Sequence, residues 1–456
     1  MRKKSPVDPA HLPVGQIMIP ILLENVLRCL MGTVNVLLMS FVSDGAVGAI
    51  GIANQYISLA QCIVSSITLG AVVCVTQAIG MGNRKRAGEL SAVCLGLDVF
   101  CGLLFGLVFL TLSGPLLGIM SLEEAEHRQA LTYMLIVGGG YLITSLSMAF
   151  CNLLRVYGQT RMPLVVNITQ NVLNTLGTYL VILPLQRWFP DAVVGVGCAN
   201  LLAQTAGALI AFVFMLRLHS GIRLRYLFPI PWKDLRLALS LGVPNSLDGI
   251  AYSFGQLVTT TFISGMGTWV VTAKIYVQNI VQYSYQLGMS AGQTGQIMVG
   301  YRLGEEKYDE IRKLQKRVTL LALASNMTFS LVCILFRRPL LGLFTQDERI
   351  LTLAASIMLI DFFVEIGRGM NNTICGCMRG VGDVKFSMVV NLSSAWLISV
   401  GMSYVLGIWA GWGLIGIWIA FALDENTRGL ILLCRWRSGR WKVGAQKRLH
   451  AVSGQN

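Results

Sequence analysis

Two acids and an arginine inside one long apolar run are the first residues that could do chemistry. Asp361, Glu365 and Arg368 stand at i, i+4 and i+7, along one stripe of a helix. Two carboxylates one turn apart beside a guanidinium form a proton-relay pattern, in which the arginine holds one acid ionised while its neighbour titrates. The plainer account is mutual neutralisation of Glu365 and Arg368, which leaves Asp361 without a reason. Two more acids follow prolines at equal distance, Glu24 after Pro20 and Asp248 after Pro244. A proline kink frees backbone carbonyls that help to coordinate a cation, so both read as ion or proton sites. Arg28 lies one turn beyond Glu24 and offers a structural ion pair instead. A charge at mid-bilayer costs roughly 2.5–3.5 kcal/mol, so each of these groups needs a purpose.

Uncharged polar residues recur in other apolar runs. Gln170, Asn171 and Asn174 share one, and Gln278, Gln282 and Gln286 repeat every fourth residue in another. Bonding between helices explains them as well as a water-filled substrate path does. Lys274 is near the outer end of its run and is expected to snorkel. Asp98, and the group Asp424, Glu425 and Arg428, are expected to form local pairs, with i,i+4 opposite charges only in the latter.

The elements that must position these residues are membrane helices. Of 456 residues, 54% are hydrophobic and 13% charged, and mean hydropathy is +0.64; a water-soluble chain needs more charge. Runs long enough to cross ~30 Å of hydrocarbon are read at 14–40, 47–78, 90–112, 130–153, 163–185, 193–216, 237–263, 269–298, 316–336, 350–377, 385–407 and 410–433. The first is too long, and too directly followed by the second, for a cleaved secretory signal. Among the 36 Lys and Arg, only Arg128, Arg187, Arg337, Arg338 and Arg349 fall in odd-numbered connections. The positive-inside rule therefore places both termini and the basic loops in the cytoplasm, across an inner (plasma) membrane. The net charge of +14 follows from that topology and from lipid headgroups, with no nucleic acid required. The eleven cysteines read as small buried residues; Cys375 and Cys377 face different ways and make a poor metal pair.

The chain also repeats itself at an offset of about 224 residues. Arg155-Val-Tyr-Gly158 through Asn167 matches Arg379-Gly-Val-Gly382 through Asn391, and Ile19-Pro20 matches Val243-Pro244. With a two-residue shift, Ala78-Ile-Gly-Met-Gly-Asn-Arg-Lys matches Met298-Val-Gly-Tyr-Arg-Leu-Gly-Glu-Glu-Lys. Halves of six helices enter from the same side, so an axis along the membrane normal relates them, and such proteins bind substrate between halves that rock. The expected plan is an all-α membrane protein of twelve transmembrane helices: a first lobe at 1–216, a basic linker at 217–236, a second lobe at 237–434 and a basic tail at 435–456. The charge cluster Asp361, Glu365 and Arg368 has repeat partners Val137, Tyr141 and Thr144, so ion coupling is expected in the second lobe.

Met31-Gly32-Thr33-Val34-Asn35, Gly80-Met-Gly-Asn83-Arg84-Lys85, Gly242-Val243-Pro244, Val299-Gly300-Tyr301-Arg302-Leu303-Gly304 and Met378-Arg379-Gly-Val-Gly382-Asp383 carry a likeness over nearly the whole chain. It resembles the multidrug and toxic compound extrusion (MATE) family. The resemblance implies a two-lobed antiporter that exports small organic molecules, typically lipophilic cations, against inward sodium ions or protons, with no other cofactor. Asn35, Tyr252 and Arg368 stand where the family pattern places acids. Coupling is accordingly assigned to Asp248, Asp361 and Glu365, with Glu24 and Asn35 in the first lobe; Arg368, Asn171, Asn174, Gln278, Gln282 and Tyr252 are assigned to the substrate path. A monomer in the lipid bilayer is expected. A major-facilitator transporter shares the plan, and a flippase for a lipid-linked or anionic substrate would put Arg28, Arg368 and Lys274 on phosphate. An enzyme is not expected: paired Asp-rich motifs, His-Glu-x-x-His and a Walker sequence are all missing.

Overall fold

The computed structural model describes residues 12–40, 44–118, 120, 123–182, 192–218, 222, 224–228 and 230–453; at 32, 33, 35–37, 39, 40 and 44–47 it describes the backbone alone. Arg187, Arg223 and Pro229, together with the end of the fifth run, lie outside the described residues. Fifteen α-helices follow in chain order: α1 Val14–Ser40, α2 Asp44–Gly80, α3 Arg84–Gly118, α4 Glu124–Tyr133, α5 Tyr141–Val156, α6 Arg161–Ile182, α7 Ala192–Arg217, α8 Trp232–Ser264, α9 Thr268–Gly304, α10 Tyr308–Leu335, α11 Arg337–Gly342, α12 Glu348–Val381, α13 Val384–Ser394, α14 Gly413–Arg437 and α15 Trp441–Ser453. Each of the twelve apolar runs coincides with helix among the described residues. Bilayer physics favours this, because a helix satisfies every backbone polar group within one segment.

Seven of these spans are long and apolar enough to cross a membrane by composition alone. The run at 130–153 is not one straight helix: α4 continues through a π-helical turn, Met134–Gly138, and the segment Glu124–Gly138 meets α5 at 47°. The other long helices, α6, α8, α9 and α14, carry the Asn, Gln, Asp, Glu and Arg singled out above. Inside lipid such residues turn inward and mark function.

The chain divides into two compact units. Unit 1 holds Met1–Val75 and Asn83–Gly242; unit 2 holds Thr76–Gly82 and Val243–Asn456. In unit 1, Phe109, Tyr133 and Tyr141 anchor one apolar core. In unit 2 a core around Ile357, Val364 and Trp418 is joined by a second around Met378, Trp436 and Trp441. The basic connection after α7 is tied to unit 1. Arg86 at the start of α3 grips Asp234 with two bonds, and the Tyr226 hydroxyl donates to Asp234 Oδ2 at 2.6 Å. Burial and the bond to Asp234 raise the pKa of the Tyr226 phenol.

The repeat is visible in the helix caps. After α5, Gly158 is left-handed (φ 81°), its N–H bonding Arg155 O and the next N–H bonding Leu154 O. After α12, Gly382 (φ 80°) bonds Arg379 O and the next N–H bonds Met378 O. This is one Schellman cap built twice. The ends of α2 and α9 also match, and they correct the shifted alignment. Gly82 (φ 70°) bonds Ile79 O and Glu306 (φ 58°) bonds Leu303 O, so the offset here is again 224. Gly80 and Gly304 cross closely inside unit 2. A Cβ on Gly80 would lie 2.1 Å from Tyr301 O, and one on Gly304 2.2 Å from Gln77 O.

Candidate substrate and coupling site

The repeated caps turn the chain so that the arginine and asparagine of each motif reach the proline helix of the same unit. In unit 1, Glu24 Oε1 accepts from Arg155 Nη2 at 2.5 Å, Asn167 Nδ2 at 2.9 Å and Arg28 Nη2 at 3.2 Å. The carboxylate is only 2% exposed. Its principal cation is therefore Arg155 of the repeat motif, and the local Arg28 is secondary. In unit 2, Asn391 Nδ2 donates to Asp248 Oδ2 at 2.8 Å, while Arg379 Nη1 donates to Asn245 Oδ1 at 3.3 Å. The same three positions thus reach the proline helix in both units, but among the described residues the acid is ion-paired only in unit 1.

Unit 2 also encloses a larger cluster. α12 brings Asp361, Glu365 and Arg368; α14 brings Asp424, Glu425 and Arg428. The helices approach closely because Gly367 has no side chain: a Cβ there would sit 2.5 Å from Asn426 N and 2.6 Å from Glu425 C. Glu365 is fully buried. It is paired with Arg368, and its Oε2 accepts from Ser284 at 2.5 Å and Asn326 at 3.1 Å. Glu425 binds Asn371 at 2.9 Å and Arg428 at 3.1 Å, with Arg368 at 4.0 Å. Asp424 takes Arg428 and Ser394, each at 2.5 Å. Asp361 makes no ion pair among the described residues, and the Trp418 indole donates to its Oδ1 at 3.0 Å.

Of these charged groups, all but Glu365 border a cavity of about 70 Å³, lined among others by Asp361, Arg368, Asp424, Glu425, Arg428 and Gln278, polar and roomy enough for several waters. Tyr252 and Gln256 complete a wall from α8, joined by a 3.2 Å hydrogen bond, and Arg368 lies 5.7 Å from the Tyr285 ring centre. Three carboxylates and two guanidiniums line it, and Glu365 is paired with one of those guanidiniums, Arg368. The acids outnumber the guanidiniums, a composition that suits a cation more than an anion.

Of the residues expected on a substrate path, Tyr252, Gln278 and Arg368 meet at this cavity. Gln282 donates to Asn279 O at 3.3 Å instead. Asn171 and Asn174 belong to unit 1, where the Asn174 Oδ1 is buried without a partner. The Asn35 side chain lies outside the described residues. Two expectations are corrected. Lys274 does not snorkel: it is 6% exposed, and its ammonium reaches the Thr260 hydroxyl at 2.6 Å across α8 and α9. Asp98 makes no local ion pair among the described residues; it is held by the hydroxyls of Thr68, at 2.9 Å, and Ser145, at 3.4 Å. Trp418 and Asn371 were not singled out in the sequence, where a tryptophan on an apolar helix signals packing and nothing more.

Paired helical units, each with an acid on its proline helix, and a cavity lined by charged residues of long apolar helices define a polytopic transporter of the two-lobed class. The MatE family model matches residues 20–180 and 244–405. The chain is 32% identical to the uncharacterized transporter YisQ of Bacillus subtilis strain 168, over 92% of this chain and 93% of that protein. It is 27% identical to the probable multidrug resistance protein NorM of Thermotoga maritima, over 94% of this chain and 92% of that one. In fold it is similar to the crystal structure of MATE in the bent conformation (TM-score 0.87, 17% identity, 95% and 96% of the two chains). It is also similar to a MOP superfamily transporter from Pyrococcus furiosus (TM-score 0.84, 16% identity, 99% and 100%). The chain belongs to the MatE family: it is a multi-pass membrane transporter of small molecules, not an enzyme, and the major-facilitator reading falls away.

Proposed function

We propose that this transporter exports organic, cationic and lipophilic compounds by antiport with sodium ions or protons, and that coupling takes place at the unit 2 cavity. The observation that carries this is the charge count there, three carboxylates and two arginines lining the cavity, with Asp361 facing it and making no ion pair among the described residues. Asp361 is the acid that exchanges its cation. Glu365 and Arg368 hold each other in place, and Tyr252, Gln278 and Gln256 offer hydrogen bonds along the approach. Asp248 serves beside Asn391 as a second ion site, and Glu24 and Asn35 are weaker first-lobe candidates. Asn171, Asn174 and Gln282 belong to the substrate path. Relatives named for multidrug resistance support the substrate class. We further propose a monomer in the inner membrane with both termini cytoplasmic, and residues 217–236 as a linker between lobes 1–216 and 237–434, followed by a tail at 435–456.

The test uses purified protein in liposomes loaded with a fluorescent organic cation, under a sodium or a proton gradient in separate runs. Dye movement under one gradient, lost in Asp361→Asn, names the ion and supports the assignment. Full gradient-driven turnover by Asp361→Asn would sink it. Movement of an organic anion in place of the cation would favour the reading in which Arg368 and Arg428 meet substrate.

A further inference from the structure

Arg312, Lys313, Lys316 and Arg317 on the early turns of α10, and Arg437 at the end of α14, make no ion pair among the described residues. They are not merely loop charges. Between α10, α12 and α14 runs a groove of about 430 Å³, bordered at one end by Arg312, Lys316 and Arg437 and further along by Leu323, Met370 and Leu433. The polar-to-apolar order agrees on the two helices that carry the cations. On α10 the cations precede Thr319, Leu320 and Leu323; on α14, which runs the other way, Leu433 precedes Arg437. From Arg312 to Leu323 the helix rises roughly 16 Å at 1.5 Å per residue, about half of a ~30 Å hydrocarbon layer. A second groove of about 400 Å³ flanks α10, sharing Lys316 and Leu320 and adding Lys313, Arg317 and Leu321. Leu320 is 55% exposed between them.

We propose that the groove beside α10 holds an anionic phospholipid, with its phosphate on Arg312, Lys316 and Arg437 and an acyl chain along Leu320, Leu323 and Leu433. The general excess of cations on inner loops explains charge at this level. It does not explain unpaired cations converging at one end of an apolar trough one leaflet long, the arrangement that retains an acidic headgroup. A free phosphate has nothing to place in the trough, and a zwitterionic lipid brings its own ammonium to the cations. The assignment to the cytoplasmic leaflet rests on the orientation proposed above; the site and its ligand class do not.

The test is native mass spectrometry of the full chain in detergent with phosphatidylglycerol, phosphatidylcholine of the same acyl chains, or glycerol phosphate. Phosphatidylglycerol is expected to stay bound under activation that strips phosphatidylcholine, and glycerol phosphate is expected not to be retained. Combining Arg312→Gln, Lys316→Gln and Arg437→Gln should lower phosphatidylglycerol occupancy at least about tenfold. Equal retention of the two lipids by the unaltered chain would overturn the proposal even if the triple variant failed to fold. Displacement of phosphatidylglycerol by glycerol phosphate, or unchanged occupancy in a folded triple variant, would overturn it equally. Labelling of Lys313→Cys by an impermeant thiol reagent from outside intact cells would overturn the leaflet assignment alone.

Discussion

Glu365 and Asp361 are one helical turn apart and live in different surroundings. Glu365 meets Arg368, Ser284 and Asn326 and is fully buried; Asp361 meets one indole N–H and borders the cavity. Removing the Glu365 carboxylate strands three donors and leaves a guanidinium with only the distant Glu425 oxygen at 4.0 Å. Glu365→Ala is therefore expected to lower stability by about 3 kcal/mol, read as a fall in unfolding temperature in detergent. Asp361→Asn keeps an oxygen for the Trp418 indole, so its stability should stay within about 1 kcal/mol of the unaltered protein, while gradient-driven transport is lost. A large stability loss in Asp361→Asn, with transport lost in a stably folded Glu365→Ala, would exchange the roles.

At the scale of the helix, the end of α9 makes two predictions. Glu306 sits left-handed at φ 58° where its repeat partner is Gly82 at φ 70°, and a side chain in that region costs roughly 1–2 kcal/mol. Glu306→Gly should stabilise the protein by about 1 kcal/mol, seen as a higher unfolding temperature; no change would mean the strain is relieved elsewhere. Next to it, burial pushes the Glu305 pKa up, but bonds from Arg302 at 2.7 Å and Lys307 at 3.1 Å outweigh this and hold it below its ordinary 4.5. A depressed carboxylate contributes stability above its unfolded pKa and loses it as pH falls through the folded value. The stability gap between the unaltered chain and Glu305→Gln should thus be full at pH 7 and close below about pH 4.5. Elements were legible to different depths. The twelve spans could be read because eighteen apolar residues have few other uses. The bend between α4 and α5 could not, since hydropathy is blind to a π-helical turn. The meeting of α12 and α14 was hidden as well: Gly367 is one glycine among 48, and only the space around it, where a Cβ would lie 2.5 Å from Asn426 N, shows why charged groups of both helices line one cavity. Lys274 was misread because its partner Thr260 lies on another helix, where sequence spacing gives no warning.

Across the whole molecule, one motif was duplicated and then used unequally. Acid, arginine and asparagine recur as Glu24, Arg155 and Asn167, and as Asp248, Arg379 and Asn391. In unit 1 the arginine grips the acid at 2.5 Å; in unit 2 it bonds Asn245, and among the described residues Asn391 is the acid's one donor. Equal sequence therefore predicts unequal energetics. Arg155→Met would leave a carboxylate that is 2% exposed with only Arg28 and Asn167, and should cost about 3 kcal/mol. Arg379→Met removes one neutral-acceptor bond at 3.3 Å and should cost about 1 kcal/mol. Unfolding temperatures of the two variants, measured side by side, decide it. The asymmetry bears on transport because an acid locked to arginine has little freedom to exchange a cation, whereas Asp248, held by an amide, keeps that freedom. Arg379→Met is accordingly expected to alter the ion dependence of transport at unchanged fold, and Arg155→Met to lower the amount of folded protein. Equal destabilisation by both would mean that Arg379 also closes on Asp248, and would return the two halves to a single role.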